Sequence, residues 1–335
     1  MKKVCVIGAG SWGTALATVL SNNGHEVTIW SIDKREVEML NEFHEQKDKL
    51  PGVILADSIE VTADLEAGIK DKDILVFAVP SPYVRSTAKM AAPYVTEGQV
   101  IVNVAKGIED STLMTLVEII EQEIPQAKVA VMSGPSHAEE VGKGIPTTVV
   151  AGSREKEVAY LIQDVFMNQV FRVYASPDVI GIELGGSIKN VIALAAGIAD
   201  GLGFGDNTKA ALMTRGAAEM ARLGIAMGGK YETFAGLSGI GDLIVTCTSK
   251  HSRNRSAGVL MGQGKTYQEA MDEVKMVVEG VYSAKATLAL AKKYNIAMPI
   301  VEEVNKVLFE GASPRESVGS LLLREKTVEA DGLGW

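Results

Sequence analysis

The stretch Lys2–Trp30, KKVCVIGAGSWGTALATVLSNNGHEVTIW, limits what this chain can fold into more than any other. Val4–Ile7 is a short apolar, β-branched run, and Gly8-Ala9-Gly10-Ser11-Trp12-Gly13 follows it directly. A helical pattern over Thr14–Leu20 stops at Asn23-Gly24, and Val27–Trp30 is a second apolar run. That order predicts strand, tight turn, helix and strand, the βαβ unit that binds a dinucleotide. Gly8 is expected to make the turn, Gly10 to let the backbone approach a pyrophosphate, and Gly13 to let the helix pack close to the strand. Unpaired N–H groups at the helix start would then face the anion. The competing reading is a glycine-rich turn in some other α/β fold.

The rest of the chain is consistent with a large folded protein. Its 335 residues suffice for two domains, and 47% hydrophobic with 22% charged residues allows a substantial core. A net charge of −9 argues against nucleic acid or an anionic membrane as partner. Any anion site must therefore come from a local cluster of Lys and Arg. Cys5 and Cys247 form no C-x-x-C pair and the four histidines are scattered, so no disulfide framework and no metal site are expected. Met1-Lys2-Lys3 before an apolar run has a faint look of a signal peptide, but Gly8, Gly10 and Ser11 break the run. The longest apolar run, Val191–Ala199, falls short of the roughly 18 residues a membrane span needs. A cytoplasmic location is the expectation.

Strand patterns recur at Ser58–Thr62, Asp73–Val79, Val100–Val104, Lys128–Met132, Thr147–Ala151 and Phe171–Tyr174. Helical stretches lie between them, including Thr112–Glu123 and Arg154–Phe166. This alternation predicts an open, mostly parallel, doubly wound sheet, with ligands beyond the carboxyl ends of its strands. Gly8–Gly13, Pro80–Tyr83, Ala105–Gly107 and Ser133–His137 are the loops expected there. From about Ser176 the strand runs vanish and helical patterns continue to Val328, from Asp178–Asp200 to Ser313–Arg324. The expected architecture is an α/β Rossmann-type N-terminal domain, 1–177, followed by an all-α C-terminal domain, 178–335. Asp33 could bond an adenosine ribose hydroxyl or cap the next helix, and Lys34 and Arg35 could meet a 2′-phosphate. The loop leaves NAD against NADP open.

Four places could hold chemistry. Lys189 is isolated in an apolar helix beside Asn190, where burying an ammonium is costly. It is either a snorkelling lysine or one with a lowered pKa that exchanges a proton near neutrality. Asp242 follows Gly236-Leu237-Ser238-Gly239-Ile240-Gly241 and precedes an apolar segment, where a helix N-cap is the plainer reading. Lys250, Arg253 and Arg255, with Ser252 and Asn254, suit a phosphate or form a solvated loop. Lys106 ends a strand aimed at the crevice, and Ser133-Gly134-Pro135-Ser136 offers hydroxyl and backbone donors or is simply a turn.

Taken in order, GAGSWGTALA, NVAKGIE, SGPSHAEEV, ELGGSIKNVIALAAGI and GLSGIGDLIVTCTSKHSRNR resemble the bacterial NAD(P)-dependent glycerol-3-phosphate dehydrogenases over nearly the whole chain. The resemblance implies NAD(P)H-dependent reduction of dihydroxyacetone phosphate to sn-glycerol 3-phosphate, the glycerophospholipid backbone, in a cytoplasmic homodimer. It implies that Lys189 is the catalytic proton donor and acceptor. Lys106, Gly134, Ser136, Lys189, Asn190, Asp242, Ser252, Arg253 and Asn254 would contact substrate. Gly8, Gly10, Ser11, Trp12, Gly13, Lys106, Ala138, Arg253, Val277 and Glu279 would contact the NAD or NADP cofactor. Asn190 and Asp242 would hold the lysine or a substrate hydroxyl. One departure stands out: the family often has Arg or His just after the second strand, where this chain has Ser31-Ile32. A ketopantoate-type reductase is the alternative enzyme, and it would need a carboxylate site in place of Lys250–Arg255. A dinucleotide-sensing module is the alternative without catalysis, and it would have no use for Lys189 or Asp242.

Overall fold

The computed structural model describes residues 1–326, 328 and 329. Its first half runs β1 (Lys3–Ile7), α1 (Ser11–Asn22), β2 (Glu26–Trp30), α2 (Lys34–Phe43), β3 (Glu60–Thr62), α3 (Leu65–Ile69), β4 (Ile74–Phe77) and α4 (Val84–Ala91). It continues with β5 (Val100–Asn103), α5 (Leu116–Glu123), β6 (Lys128–Ser133), α6 (Ala138–Val141), β7 (Thr147–Gly152), α7 (Lys156–Phe166) and β8 (Phe171–Ser176). The strands form one sheet in the order β3-β2-β1-β4-β5-β6-β7-β8, parallel except where β7 returns against β6. The expected Rossmann-type sheet is present.

Side-chain alternation explains why both faces are covered. Val4, Val6, Ile74, Val76 and Val102 join the core on one face. Cys5, Ile7, Leu75, Phe77 and Ile101 join the core on the other. Strand order reverses between β1 and β4, so a crevice opens beyond Ile7 and Phe77, the switch point where such sheets take ligands.

The second half is helical: α8 (Val179–Gly201), α9 (Asp206–Ala226), α10 (Tyr231–Phe234), a π-helical turn over Leu237–Gly241, α11 (Asp242–Thr248) and α12 (Arg253–Gly262). α13 (Tyr267–Val274), α14 (Glu279–Lys293), α15 (Pro299–Phe309) and α16 (Pro314–Leu322) complete it. The end of the expected C-terminal domain, at 327 and 330–335, lies outside the described residues.

α8 is the axis of this half. By length and composition it could cross a membrane, but 94% of its most apolar window is buried inside the protein. Asp178 caps it by accepting from Gly181 N at 3.0 Å. Glycines bring α12 against it with no side chain between. A Cβ on Gly197 would fall 2.1 Å from Arg255 O, one on Gly201 2.2 Å from Val259 O, and one on Gly258 2.3 Å from Leu194 O.

Two local expectations need correction. The helix expected over Thr112–Glu123 starts only at Leu116, because Leu113 takes φ +62° and Thr115 forms a capping box with Glu118. The basic stretch expected as a possible loop turns helical at Arg253, with Ser252 Oγ accepting from Arg255 N at 3.2 Å as N-cap.

Candidate active site

The crevice is a cleft of about 860 Å³ between the carboxyl ends of the sheet and the helical half. At the glycine turn each glycine has a distinct role. Gly8 takes φ +120°, and a Cβ there would lie 2.9 Å from the Ala78 carbonyl carbon. A Cβ on Gly13 would fall 2.0 Å from Gly8 O, so α1 can seat against the turn only without one. Gly10 has nothing within 4 Å of its Cβ position, which leaves its backbone open to a ligand. No side chain caps the start of α1, so its first N–H groups are available to an anion. Ser11, Trp12, Ala138 and Val277 line the same cleft. These features fit the pyrophosphate of a dinucleotide.

At the other end of the cleft the two halves meet through one carboxylate. Lys189 Nζ, from the middle of α8, donates to Asp242 Oδ1 at 2.5 Å and Thr246 Oγ1 at 2.6 Å. Lys106 Nζ, from the loop after β5, donates to Asp242 Oδ2 at 2.6 Å and to Gly134 O at 3.1 Å. Asp242 opens α11 but is not its N-cap; its carboxylate is 1% exposed and spans two ammonium groups. Burial pushes Lys189 down to about 8; Asp242 works against that shift, and Lys106 adds to it. Burial would raise Asp242, yet Lys106 and Lys189 together hold it below the ordinary carboxylate range. An ammonium with a pKa near 8, lining the cleft, can give and recover a proton around neutral pH.

The remaining expected residues fall close by. Arg253 opens α12 and lines the cleft, while Arg255 pairs instead with Asp200 at 2.6 Å, and Lys250 lies on an adjoining groove. The basic cluster is thus split, with Arg253 its member on the cleft. Asn190 does not hold Lys189. Its Oδ1 accepts from Asn254 Nδ2 at 2.9 Å, and Asn254 Oδ1 accepts from Gly280 N at 2.8 Å, so the pair joins α8, α12 and α14. Ser136 Oγ donates to Gly134 O at 2.9 Å. Glu279 reaches across the cleft, accepting from Ser81 N at 3.1 Å and from the Ser81 hydroxyl.

Three further residues that carry little signal in the sequence belong to the site. Thr246 lies one turn after Asp242, and the Asp-x-x-x-Thr spacing in a helix was the available signal. Ser187 Oγ donates to Gly107 O at 3.0 Å, fixing the loop that carries Lys106 to α8. His137 lines the cleft with Nε2 buried and unpartnered, and burial followed by repulsion from Lys189 lowers its pKa. Only its position after Ser136 could have flagged it.

The chain matches a known family along most of its length. Residues 3–159 match the family described as NAD-dependent glycerol-3-phosphate dehydrogenase N-terminus, and residues 178–319 match its C-terminus. The chain is 66% identical to glycerol-3-phosphate dehydrogenase [NAD(P)+] of Agathobacter rectalis over 100% of both chains. It is 58% identical to that of Fusobacterium nucleatum over 98% of this chain and 99% of the relative. The crystal structure of glycerol-3-phosphate dehydrogenase from Coxiella burnetii is similar to it at a TM-score of 0.93 and 37% identity, covering 96% of this chain and 99% of that one.

Proposed function

We infer that this chain, which belongs to the NAD-dependent glycerol-3-phosphate dehydrogenase family, is an oxidoreductase that interconverts dihydroxyacetone phosphate and sn-glycerol 3-phosphate. One observation carries the assignment of roles: Lys189, Asp242 and Lys106 are joined across the two halves at the crevice of the glycine turn.

When bound, the nicotinamide dinucleotide supplies the hydride for the ketone carbon. Lys189 gives its Nζ proton to the carbonyl oxygen as negative charge gathers there, and takes it back in the reverse direction. Asp242 keeps that lysine protonated, and Thr246 fixes the direction of Nζ while its own hydroxyl donates to Asp242 O at 2.6 Å. Lys106 brings a second positive charge to the same place. Arg253 and the first N–H groups of α12 grip the phosphate, with Ser136, Ser252 and Asn254 around it, and this remote grip orients the ketone. Gly8, Gly10, Ser11, Trp12, Gly13, Ala138, Val277 and Glu279 hold the dinucleotide. A ketopantoate-type reaction would need a carboxylate site, and Arg253 at a helix start suits a phosphate better.

The same reading divides the chain into a dinucleotide-binding domain, 1–177, and a helical substrate domain, 178–335. It places the enzyme in the cytoplasm as a homodimer that feeds glycerophospholipid synthesis; a single-chain mass in sedimentation equilibrium would remove the dimer. The deciding experiment uses Lys189→Ala. Dinucleotide binding should persist while turnover of dihydroxyacetone phosphate drops by about 10²-fold or more. Near-normal turnover would take Lys189 out of its role.

A further inference from the structure

The dinucleotide cleft extends past the end of β2, where Ser31, Ile32, Asp33, Glu36 and Lys49 line it. This is where a Rossmann-type site meets the adenosine ribose, and where an acid reads a 2′-hydroxyl or a free cation reads a 2′-phosphate. The side chains here are already committed to one another. Ser31 Oγ donates to Glu36 Oε2 at 2.6 Å and accepts from Asp33 N at 3.2 Å, so its hydroxyl is used in both directions. Glu36 Oε1 takes the Lys49 ammonium, and the Glu36 side chain is 12% exposed. Asp33 caps α2 by accepting from Arg35 N at 3.0 Å, and its carboxylate takes the Arg35 guanidinium at 2.9 and 3.2 Å. Lys49 and Arg35 thus face carboxylates, Lys34 is exposed at the start of α2 and does not line the cleft, and Ile32, 72% exposed, adds an apolar surface.

We propose that the adenosine end of this cleft selects NADH over NADPH, with Glu36 and Asp33 excluding the 2′-phosphate. The proposal rests on the dehydrogenase reading above and adds its cofactor specificity. A 2′-phosphate brings about two negative charges at neutral pH. As Lys49 turns to them it leaves Glu36, and a nearly buried carboxylate loses its ion-pair partner next to the incoming anion, keeping only the Ser31 hydroxyl and the Gln46 amide at 3.4 Å, which do not neutralise its charge. Arg35 can swing away more freely, since its side chain is 87% exposed, but doing so uncovers the Asp33 carboxylate in the same place. A ribose 2′-hydroxyl asks for neither rearrangement. It can donate to a carboxylate oxygen of Glu36 or Asp33 where they stand.

Equilibrium binding tests this apart from turnover. Titration calorimetry on the full chain should show NADH binding tighter than NADPH by about tenfold or more, and ADP-ribose tighter than its 2′-phosphate. Glu36→Gln should narrow both ratios. Should Glu36→Gln fold poorly, Ile32→Arg, at an exposed position, should narrow them as well by supplying an unpaired cation. Equal affinities, or tighter NADPH, in the unmodified protein would overturn the proposal while leaving the dehydrogenase reading intact. Binding of neither dinucleotide would overturn both.

Discussion

Asp242 sits between two ammonium groups, and replacing it with asparagine isolates what its charge does. The substitution keeps the shape and removes the negative charge from beside Lys189 and Lys106. Two unit charges about 4 Å apart interact by about 4 kcal/mol at an effective dielectric near 20. One pKa unit corresponds to about 1.4 kcal/mol, so even half of that interaction displaces Lys189 by 1 to 2 units. Losing an anion disfavours the charged lysine, and Lys106 still repels it, so the shift is downward, from about 8 to about 6 or 7. On the proposed mechanism, reduction needs the protonated lysine. At about pH 7.5 its population should fall roughly tenfold in Asp242→Asn, with a further loss from the freed Nζ. The assay is the initial rate of reduced-nicotinamide oxidation with saturating dihydroxyacetone phosphate from about pH 6 to pH 9. The alkaline fall in kcat should move to lower pH in the variant, and its deficit should shrink towards pH 6. On the same mechanism, oxidation of glycerol 3-phosphate needs the neutral lysine, so its acid limb should move the same way. Thr246→Val, which keeps the carboxylate, should lower kcat with both limbs in place. Limbs in Asp242→Asn that stay where they are, or move up, would refute the reasoning.

Two other perturbations test the scaffold. Gly13→Ala should lower both the melting temperature and dinucleotide affinity, because its Cβ meets the Gly8 carbonyl at 2.0 Å. Gly10→Ala, with open space at its Cβ, should lose affinity with its melting temperature unchanged, and calorimetry with a thermal melt would expose equal behaviour of the two. Glu219 caps α15 from α9, accepting from Ile300 N at 2.9 Å, and burial pushes its carboxyl up to about 7. A raised carboxyl stabilises the fold fully below about 4.5 and loses that contribution as pH rises through about 7, roughly 3 kcal/mol in all. Urea unfolding at about pH 5 and pH 8 should therefore show Glu219→Gln with the flatter profile, and parallel profiles would count against it.

The parts legible in the sequence were those set by local physics. Periodicity and the glycine spacing located the strands and the first turn, since a strand buried on both faces must read as a continuous apolar run. α5 starts later than helical propensity alone suggests, and the signal for it is the capping-box spacing of Thr115-Leu116-Val117-Glu118. The preceding stretch has helix-compatible residues, and nothing in it announces the left-handed Leu113 or the bridge between Ile108 and Thr115. At the site, Lys189 and Asp242 were suspect because an ion in an apolar helix needs a reason. Their pairing was not legible, since 53 residues separate them and only the packing of α11 on α8 joins them. Lys250, Arg253 and Arg255 look alike as charges in a row. Helical geometry turns Arg255 towards Asp200 and leaves Arg253 on the cleft. Asn190 sits beside the lysine in sequence but turns to Asn254 instead.

The seam between α8 and α12 has a bearing on the size of molecule this cleft can accept. Lys189 rides on one of these helices and Arg253 opens the other, and main chain meets main chain along Gly197, Gly201 and Gly258. No side chain lies between them at these glycines, so no rotamer change there can widen the spacing to suit a longer guest. On the proposed roles of Lys189 and Arg253, the helix backbones that carry them stand at the closest approach two main chains allow, and the length of a candidate ketose phosphate is measured against that spacing.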